Sequence, residues 1–223
     1  MKKVIFVAGP PGAGKTQFIK QYHFNKYKVF DLDNYRKKNK NFSVNNPLSY
    51  SENTTKKAGL MMKNDINKSL VNDSTIVIET TFSSLNNTLE HIKNNDNYQI
   101  YVYLFMINEL EFFISILERY INCYTNGDIC RLISFEKYLR KIKFYKEYIN
   151  VIKNYNISIS YVVRNGNILK IFDNYSVVNN EYNIKCYSGR IGKIKEFCSQ
   201  KKVSELTKEL NNMLHYYDNY DIM

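Results

Sequence analysis

The sequence predicts an α/β fold in three layers, with a mainly parallel central sheet and helices on both faces. Three observations predict it. Short apolar runs alternate with helical patterns along the chain. A glycine-rich turn, GPPGAGKT, falls directly between the first such run and the first helical stretch. The chain has 223 residues and 44% hydrophobic content, enough for one sizeable core. Strands alternating with helices imply parallel pairing through right-handed crossovers.

Residues 4–8 (VIFVA) are apolar and closed by a Gly/Pro turn, so they read as a buried first strand. A helix is expected over 15–24. Val29 and Phe30 begin a short second strand that ends in Asp31-Leu32-Asp33. Residues 39–53 are polar, contain Pro47 and read as a loop. Ala58, Met61, Met62, Ile66 and Leu70 recur at near-helical spacing and predict a helix over 54–71. The β-branched run 75–78 is a third strand leading to Glu79. Residues 85–94 read as a helix, and 98–105 (YQIYVYLF) as a fourth strand.

Over 109–124, Leu110, Phe113, Ile114, Leu117, Ile121 and Tyr124 share one helical face; Glu111, Ser115, Glu118, Arg119 and Asn122 share the other. After a break at Thr125-Asn126-Gly127-Asp128, a long helix is expected over 134–154 and a fifth strand over 157–163. Arg164-Asn165-Gly166-Asn167 reads as a hairpin turn and 168–172 as its partner strand. A last helix is expected over 200–216. Residues 1–175 are expected to form the core domain, and 176–223 a helical extension packed on it.

The net charge is +11, but the lysines and arginines are spread along the chain in short clusters such as Arg36-Lys37-Lys38 and Lys201-Lys202. A chain rich in Lys, Asn, Ile and Tyr together also fits translation of an AT-rich genome, so nucleic acid is not the expected partner. Cys123, Cys130, Cys186 and Cys198 form no C-x-x-C pair, and His23, His91 and His215 are scattered, which argues against a zinc site or a disulfide framework. No apolar run approaches the roughly 20 residues of a membrane helix. The apolar start ends at Gly9, short of a secretory core, so a cytoplasmic protein is expected.

Gly9-Pro10-Pro11-Gly12-Ala13-Gly14-Lys15-Thr16 fits the phosphate-loop pattern G-x-x-x-x-G-K-[ST], in the required strand–turn–helix context. Glycines let successive N–H groups converge on phosphates, and the following helix adds its positive end. Lys15 supplies a mobile charge for the β/γ-phosphates, and the Thr16 hydroxyl can ligate Mg2+. The fold class thereby sharpens to a kinase-type P-loop NTPase. The guanine-reading N-K-x-D element is missing, since Asn25-Lys26-Tyr27-Lys28 and Asn67-Lys68-Ser69-Leu70 both lack the final Asp. A kinase also needs a carboxylate to accept the acceptor's proton and cations to stabilise the phosphoryl group. Asp31 and Asp33 at the end of the second strand, Glu79 at the end of the third, Arg119 and Arg131 are the available groups.

These pieces, in this order, resemble the zeta-toxin family of P-loop kinases. The resemblance rests on GPPGAGKT, VFDLDNYR (29–36), IETT (78–81), ERY (118–120), the Cys130-Arg131 region and YVVRNGNILKIFDN (161–174). By position it implies that Gly9 to Thr16, with the adjoining Gln17, bind ATP, and that Thr16 ligates Mg2+. It implies that Asp33 is the catalytic base, that Asp33, Glu79 and Thr81 bind the acceptor, and that Lys15, Arg119 and Arg131 stabilise the transferred phosphate. The implied activity is ATP-dependent phosphorylation of a hydroxyl. For characterised toxins of the family the acceptor is the sugar of a UDP-N-acetylhexosamine, and a small antitoxin blocks the nucleotide site. Where the family pattern runs Glu-Gly-Thr-x-Arg, this chain has Glu79-Thr80-Thr81-Phe82-Ser83, like a branch carrying Glu-Thr-Thr-Leu-Ser. Asp65 is the nearest counterpart of a further acidic residue in the helix before the third strand. Two other functions fit parts of the sequence: a kinase of nucleic-acid ends or nucleosides, and a non-catalytic ATP-binding partner protein.

Overall fold

The structure, a computed structural model, describes residues 2–38, 52–72, 75–81, 98–127, 132–152, 157–166, 168–173 and 184–220. Its central strand, β1 (Lys2–Ala8), explains the layering. Successive strand side chains point to opposite faces. Ile5 and Val7 enter one hydrophobic cluster, and Val4, Phe6 and Ala8 enter the other. A strand buried on both faces carries no polar alternation, which is why VIFVA reads as a continuous apolar run.

The other strands are β2 (Lys28–Asp31), β3 (Thr75–Thr80), β4 (Tyr98–Phe105), β5 (Ser158–Asn165) and β6 (Ile168–Phe172). They form one sheet in the order β2-β3-β1-β4-β5-β6. β1 to β5 pair in parallel, and β6 returns antiparallel to β5. The helices are α1 (Lys15–Gln21), α2 (Leu32–Lys37), α3 (Glu52–Asn72), α4 (Glu109–Thr125), α5 (Phe135–Ile152), α6 (Ser188–Lys201) and α7 (Ser204–Tyr220).

One face of the sheet is covered by α1, α4, α6 and α7, through Phe18, Phe113, Ile114, Ile194, Leu206 and Leu210 among others. The opposite face is covered by α3, through Ala58, Ile66 and Leu70. α5 serves both cores: Phe135, Tyr138 and Ile142 pack in the first, and Tyr145, Ile149 and Ile152 in the second. Each fully buried Phe, Ile or Leu stabilises the fold by roughly 1.5–3 kcal/mol relative to exposure. The expected three-layer fold is therefore the one observed.

Several boundaries differ for identifiable reasons. The first helix ends at Gln21 rather than 24, because His23 turns left-handed with φ of 57° and a separate 3-10 turn, Phe24–Lys26, follows. α2 is additional to the expected elements: the Asp31 side chain accepts the Asp33 N–H at 3.0 Å and caps it. The second strand thus stops at Asp31, and Asp33 lies in a helical first turn rather than at a strand end. Arg164 and Asn165 belong to β5, Asn165 pairs with Ile168, and the turn falls at Gly166, with φ of 59°. The last helix is two: Lys202 adopts φ of 53° and terminates α6, and α7 starts at Ser204 rather than 200. Residues 52 and 53, expected in a loop, begin α3. On α4, Tyr124 at the end of the apolar face is exposed although its ring meets Phe197, and Glu111 on the polar face is buried. The rest of the 39–53 loop and the 85–94 helix lie outside the described residues.

Tyr145 ties the strand ends together where the glycine-rich turn begins. Its ring is fully buried, and its hydroxyl lies 2.9 Å from the Ala8 carbonyl oxygen and 2.8 Å from that of Phe105. These are the last residues of β1 and β4. Removing the hydroxyl leaves buried acceptors without this donor, so Tyr145→Phe is expected to cost about 1–3 kcal/mol in urea unfolding. A change near zero would show that the strand ends do not depend on it.

Candidate active site

The glycine-rich turn leaves β1 at Gly9, whose N–H donates to the Thr80 carbonyl at 3.1 Å and so ties the turn to β3. Gly12 and Gly14 take φ of 82° and 94°, the left-handed region that favours glycine. A Cβ on Gly12 would also lie 2.0 Å from the Phe112 carbonyl oxygen of α4. The Gly14 carbonyl accepts the Phe18 N–H at 2.9 Å and starts α1. Gly9, Pro10, Pro11 and Ala13 are buried, while Thr16 and Gln17 are exposed at the start of α1.

Lys15 is buried and its ammonium folds back on the turn, donating to the Gly9 and Pro10 carbonyls at 2.9 and 3.1 Å. Burial pushes its pKa below the ordinary value of 10.5, and the Glu79 and Asp33 carboxylates pull in the opposite direction. Glu79 stands 4.0 Å from that ammonium. Its other carboxylate oxygen accepts the Thr16 hydroxyl at 3.0 Å. Burial raises the Glu79 pKa, against the pull of Lys15, and Asp31, paired with Glu79 across β2 and β3, is raised by burial too. This is a desolvated cluster of unlike charges in which Lys15 is the shared counter-ion.

Asp33, in the first turn of α2, accepts a hydrogen bond from Arg36, which is buried. A cleft of about 810 Å³ opens over the strand ends. Of the residues expected at the site, Pro11, Gly12, Lys15, Asp33, Glu79, Thr81 and Arg119 line it. Arg131 lies outside the described residues. Gly9, Pro10, Ala13, Gly14, Thr16 and Gln17, also expected at the site, do not line the cleft. Sequence reasoning missed Arg36, Lys56, Lys63 and Lys141, four more cations on the cleft wall. Arg36 stands within the quoted stretch VFDLDNYR, and its helical spacing of i+3 from Asp33 was the available signal. The nearest acidic counterpart, Asp65, instead accepts the Tyr35 hydroxyl at 2.9 Å.

A phosphate-loop cradle, a buried lysine and carboxylates beside parallel strand ends are groups that phosphoryl transfer requires. The sequence-family model described as Zeta toxin matches residues 1–176. The chain belongs to the zeta toxin family. No curated protein matches it significantly. Among solved structures it is similar to one from the PezAT chromosomal toxin–antitoxin system of Streptococcus pneumoniae, with a TM-score of 0.62 and 16% identity over 88% of this chain and 87% of that one. At that identity the likeness is one of fold. A structure of the Pnkp1/Rnl/Hen1 RNA repair complex is more distant, with a TM-score of 0.48 and 18% identity over 66% of this chain and 46% of that one.

Membership makes the chain a kinase-type phosphotransferase, and P-loop kinases in general use ATP and Mg2+. The donors present fit both. The turn and Lys15 suit a triphosphate, and the adjacent Thr16 hydroxyl and Glu79 carboxylate are the hard oxygen donors that Mg2+ takes. Among the described residues no helix is long and apolar enough to cross a membrane.

The raised Glu79 pKa gives a pH test. Between its ordinary value of 4.5 and its higher folded value the native state holds more protons than the unfolded one, so stability falls as pH rises. The stability of the wild type minus that of Glu79→Gln is therefore expected to fall as pH is raised from 4.5 through that window. A difference that climbs with pH, measured by urea titration of the nucleotide-free protein, contradicts the assigned environment.

Proposed function

We propose that this zeta toxin relative transfers the γ-phosphate of ATP to a hydroxyl of a small anionic acceptor, as the toxin of a toxin–antitoxin pair. The observation that carries the reading is the convergence of Lys15, Asp33, Glu79, Thr81 and Arg119 on one cleft beside the phosphate loop. ATP is the donor substrate, and bound magnesium supplies charge neutralisation on the phosphates.

Asp33 accepts the acceptor's proton. Asp31 and Asp33 both line the cleft, and each has one oxygen engaged, Asp31 by the Asp33 N–H as a helix cap and Asp33 by Arg36. The family resemblance supports Asp33 as the base. Arg36 fixes the Asp33 carboxylate through its hydrogen bond. The acceptor oxygen forms a bond to the γ-phosphorus, the bridging bond to the β-phosphate breaks, ADP leaves, and the proton ends on Asp33. Lys15 and Arg119 stabilise the equatorial oxygens; a guanidinium grips such oxygens with two parallel donors. Arg131 is assigned to the same task from its position after ERY.

Glu79 and Thr81 face the acceptor side. α3 adds Thr55, Lys56, Lys63 and Asn67 to that wall, a positive and hydrogen-bonding surface. This supports an acceptor that carries phosphates of its own, and the family resemblance makes a UDP-N-acetylhexosamine the first to try. Ser83, where the family pattern has an arginine, lies outside the described residues; the α3 lysines offer a substitute charge. The resemblance also supports a small antitoxin that closes the nucleotide site.

With UDP-N-acetylglucosamine as the probe acceptor, Asp33→Ala is expected to lower kcat by roughly 10²–10⁴-fold. Its ATP affinity should stay close to that of the wild type, and its expression should no longer arrest growth. Lys15→Ala should weaken both binding and turnover. Full transfer activity in Asp33→Ala would remove it as the base.

A further inference from the structure

The most heavily buried carboxylate on α4 has no part in that chemistry. Glu111 is 1% exposed, yet both of its oxygens are partnered. One accepts the Gly166 N–H at 2.8 Å and lies 3.7 Å from Arg164 Nε and 3.8 Å from Arg190 Nη1; the other accepts from Asn108 Nδ2 at 2.9 Å. Burying a carboxylate is costly unless it is paired and hydrogen-bonded. Here Glu111 and Glu118 balance Arg164 and Arg190 in one cluster.

Arg164 leads from this cluster to the phosphate loop. Its Nη1 donates to the Gly12 carbonyl, and its Nε donates to the Gly166 carbonyl at 2.8 Å. A Cβ on Gly14 would meet Arg164 Cδ at 3.5 Å, so the side chain lies along the outer side of the turn from Gly12 to Gly14. The Phe112 carbonyl closes against Gly12 from α4. The turn is thus held between a helix backbone and one guanidinium.

The other end of the cluster belongs to the C-terminal helices. Arg190, on α6, grips Glu118 with two bonds of 2.8 and 2.6 Å and reaches Ser115 at 3.0 Å. The Tyr187 hydroxyl, just before α6, accepts from Asn108 Nδ2 at 2.8 Å, and the Asn108 side chain caps α4. Residues 187 and 190 therefore brace Glu111 from two directions, and both lie beyond the stretch 1–176 that the family model matches.

We infer that Arg164 is a positioning residue for the nucleotide loop and that the segment at Tyr187 and Arg190 holds it in place through Glu111. The inference rests on the reading of residues 9–16 as the ATP loop. With the Gly12 carbonyl fixed outward by Arg164, the amides of the turn stay directed at the phosphates. The C-terminal helices then act on ATP affinity from outside the site.

The test combines two readouts on the full chain. In the nucleotide-free protein, hydrogen exchange of the peptide spanning 9–16 should speed up in Arg164→Ala and, less strongly, in Arg190→Ala. Mg-ATP binding should weaken by about ten-fold in Arg164→Ala and about three-fold in Arg190→Ala, with the double variant no worse than Arg164→Ala alone, since both act on one chain of contacts. The KM for ATP should rise by more than kcat falls, and the acceptor KM should not move. Arg164→Lys keeps the charge but loses the fork, folds if the alanine variant does not, and should show an intermediate loss. Unchanged loop exchange and ATP affinity in Arg190→Ala, or additive effects in the double variant, overturn the inference. A wild type that binds no ATP overturns the nucleotide reading instead, and the exchange measurements still decide the positioning role.

Discussion

A loop that turns its amide groups toward phosphates must turn its carbonyls away, and those carbonyls need donors once they are shielded from water. Much of this protein is arranged around that constraint. Tyr145 of α5 serves Ala8, Lys15 serves Gly9 and Pro10, Arg164 of β5 serves Gly12, and the first turn of α1 serves Gly14. The donors come from elements far apart in the chain. The loop is therefore a meeting point for both sides of the sheet, and its shape depends on the whole domain being folded.

The same arrangement explains the charge pattern. Lys15 is buried among Glu79, Asp31 and Asp33, and burial depresses the lysine while raising Asp31 and Glu79. Lys15 donates to the loop's own carbonyls. A bound triphosphate offers it a stronger partner. Arg36 and the α3 residues Lys56 and Lys63 add positive charge to the cleft that those carboxylates also line.

What could be read from the sequence was what is local. The loop motif carries its own geometry. β4 and β6 announce themselves by unbroken β-forming residues, and the observed bounds, Tyr98–Phe105 and Ile168–Phe172, are those expected. α2 escaped notice because six residues carry no periodicity, and only the Asp31 cap marks its start. Glu111 looked like a solvated residue because its neighbours on the helix face are polar; its burial depends on Arg164 and Arg190, which only the fold brings near. The break at Lys202 rests on a left-handed residue that is not glycine, so no turn signal in the sequence marked it. Asp33, Glu79 and Thr81 gather in one cleft because β2 and β3 are parallel neighbours that end together beside the loop. Parallel pairing was expected, while their adjacency and the approach of Arg119 from α4 come from the fold.

The proposed reaction ends with the phosphate on a hydroxyl of a small molecule. It is tested most directly by incubating the protein with ATP and a fractionated metabolite extract, then following masses that gain one phosphate. One chemical class of product, itself anionic, is expected to form in step with ADP and to be absent when Asp33→Ala replaces the wild type. ATP bound without any molecule gaining phosphate, or the same products from Asp33→Ala, would contradict the proposed reaction.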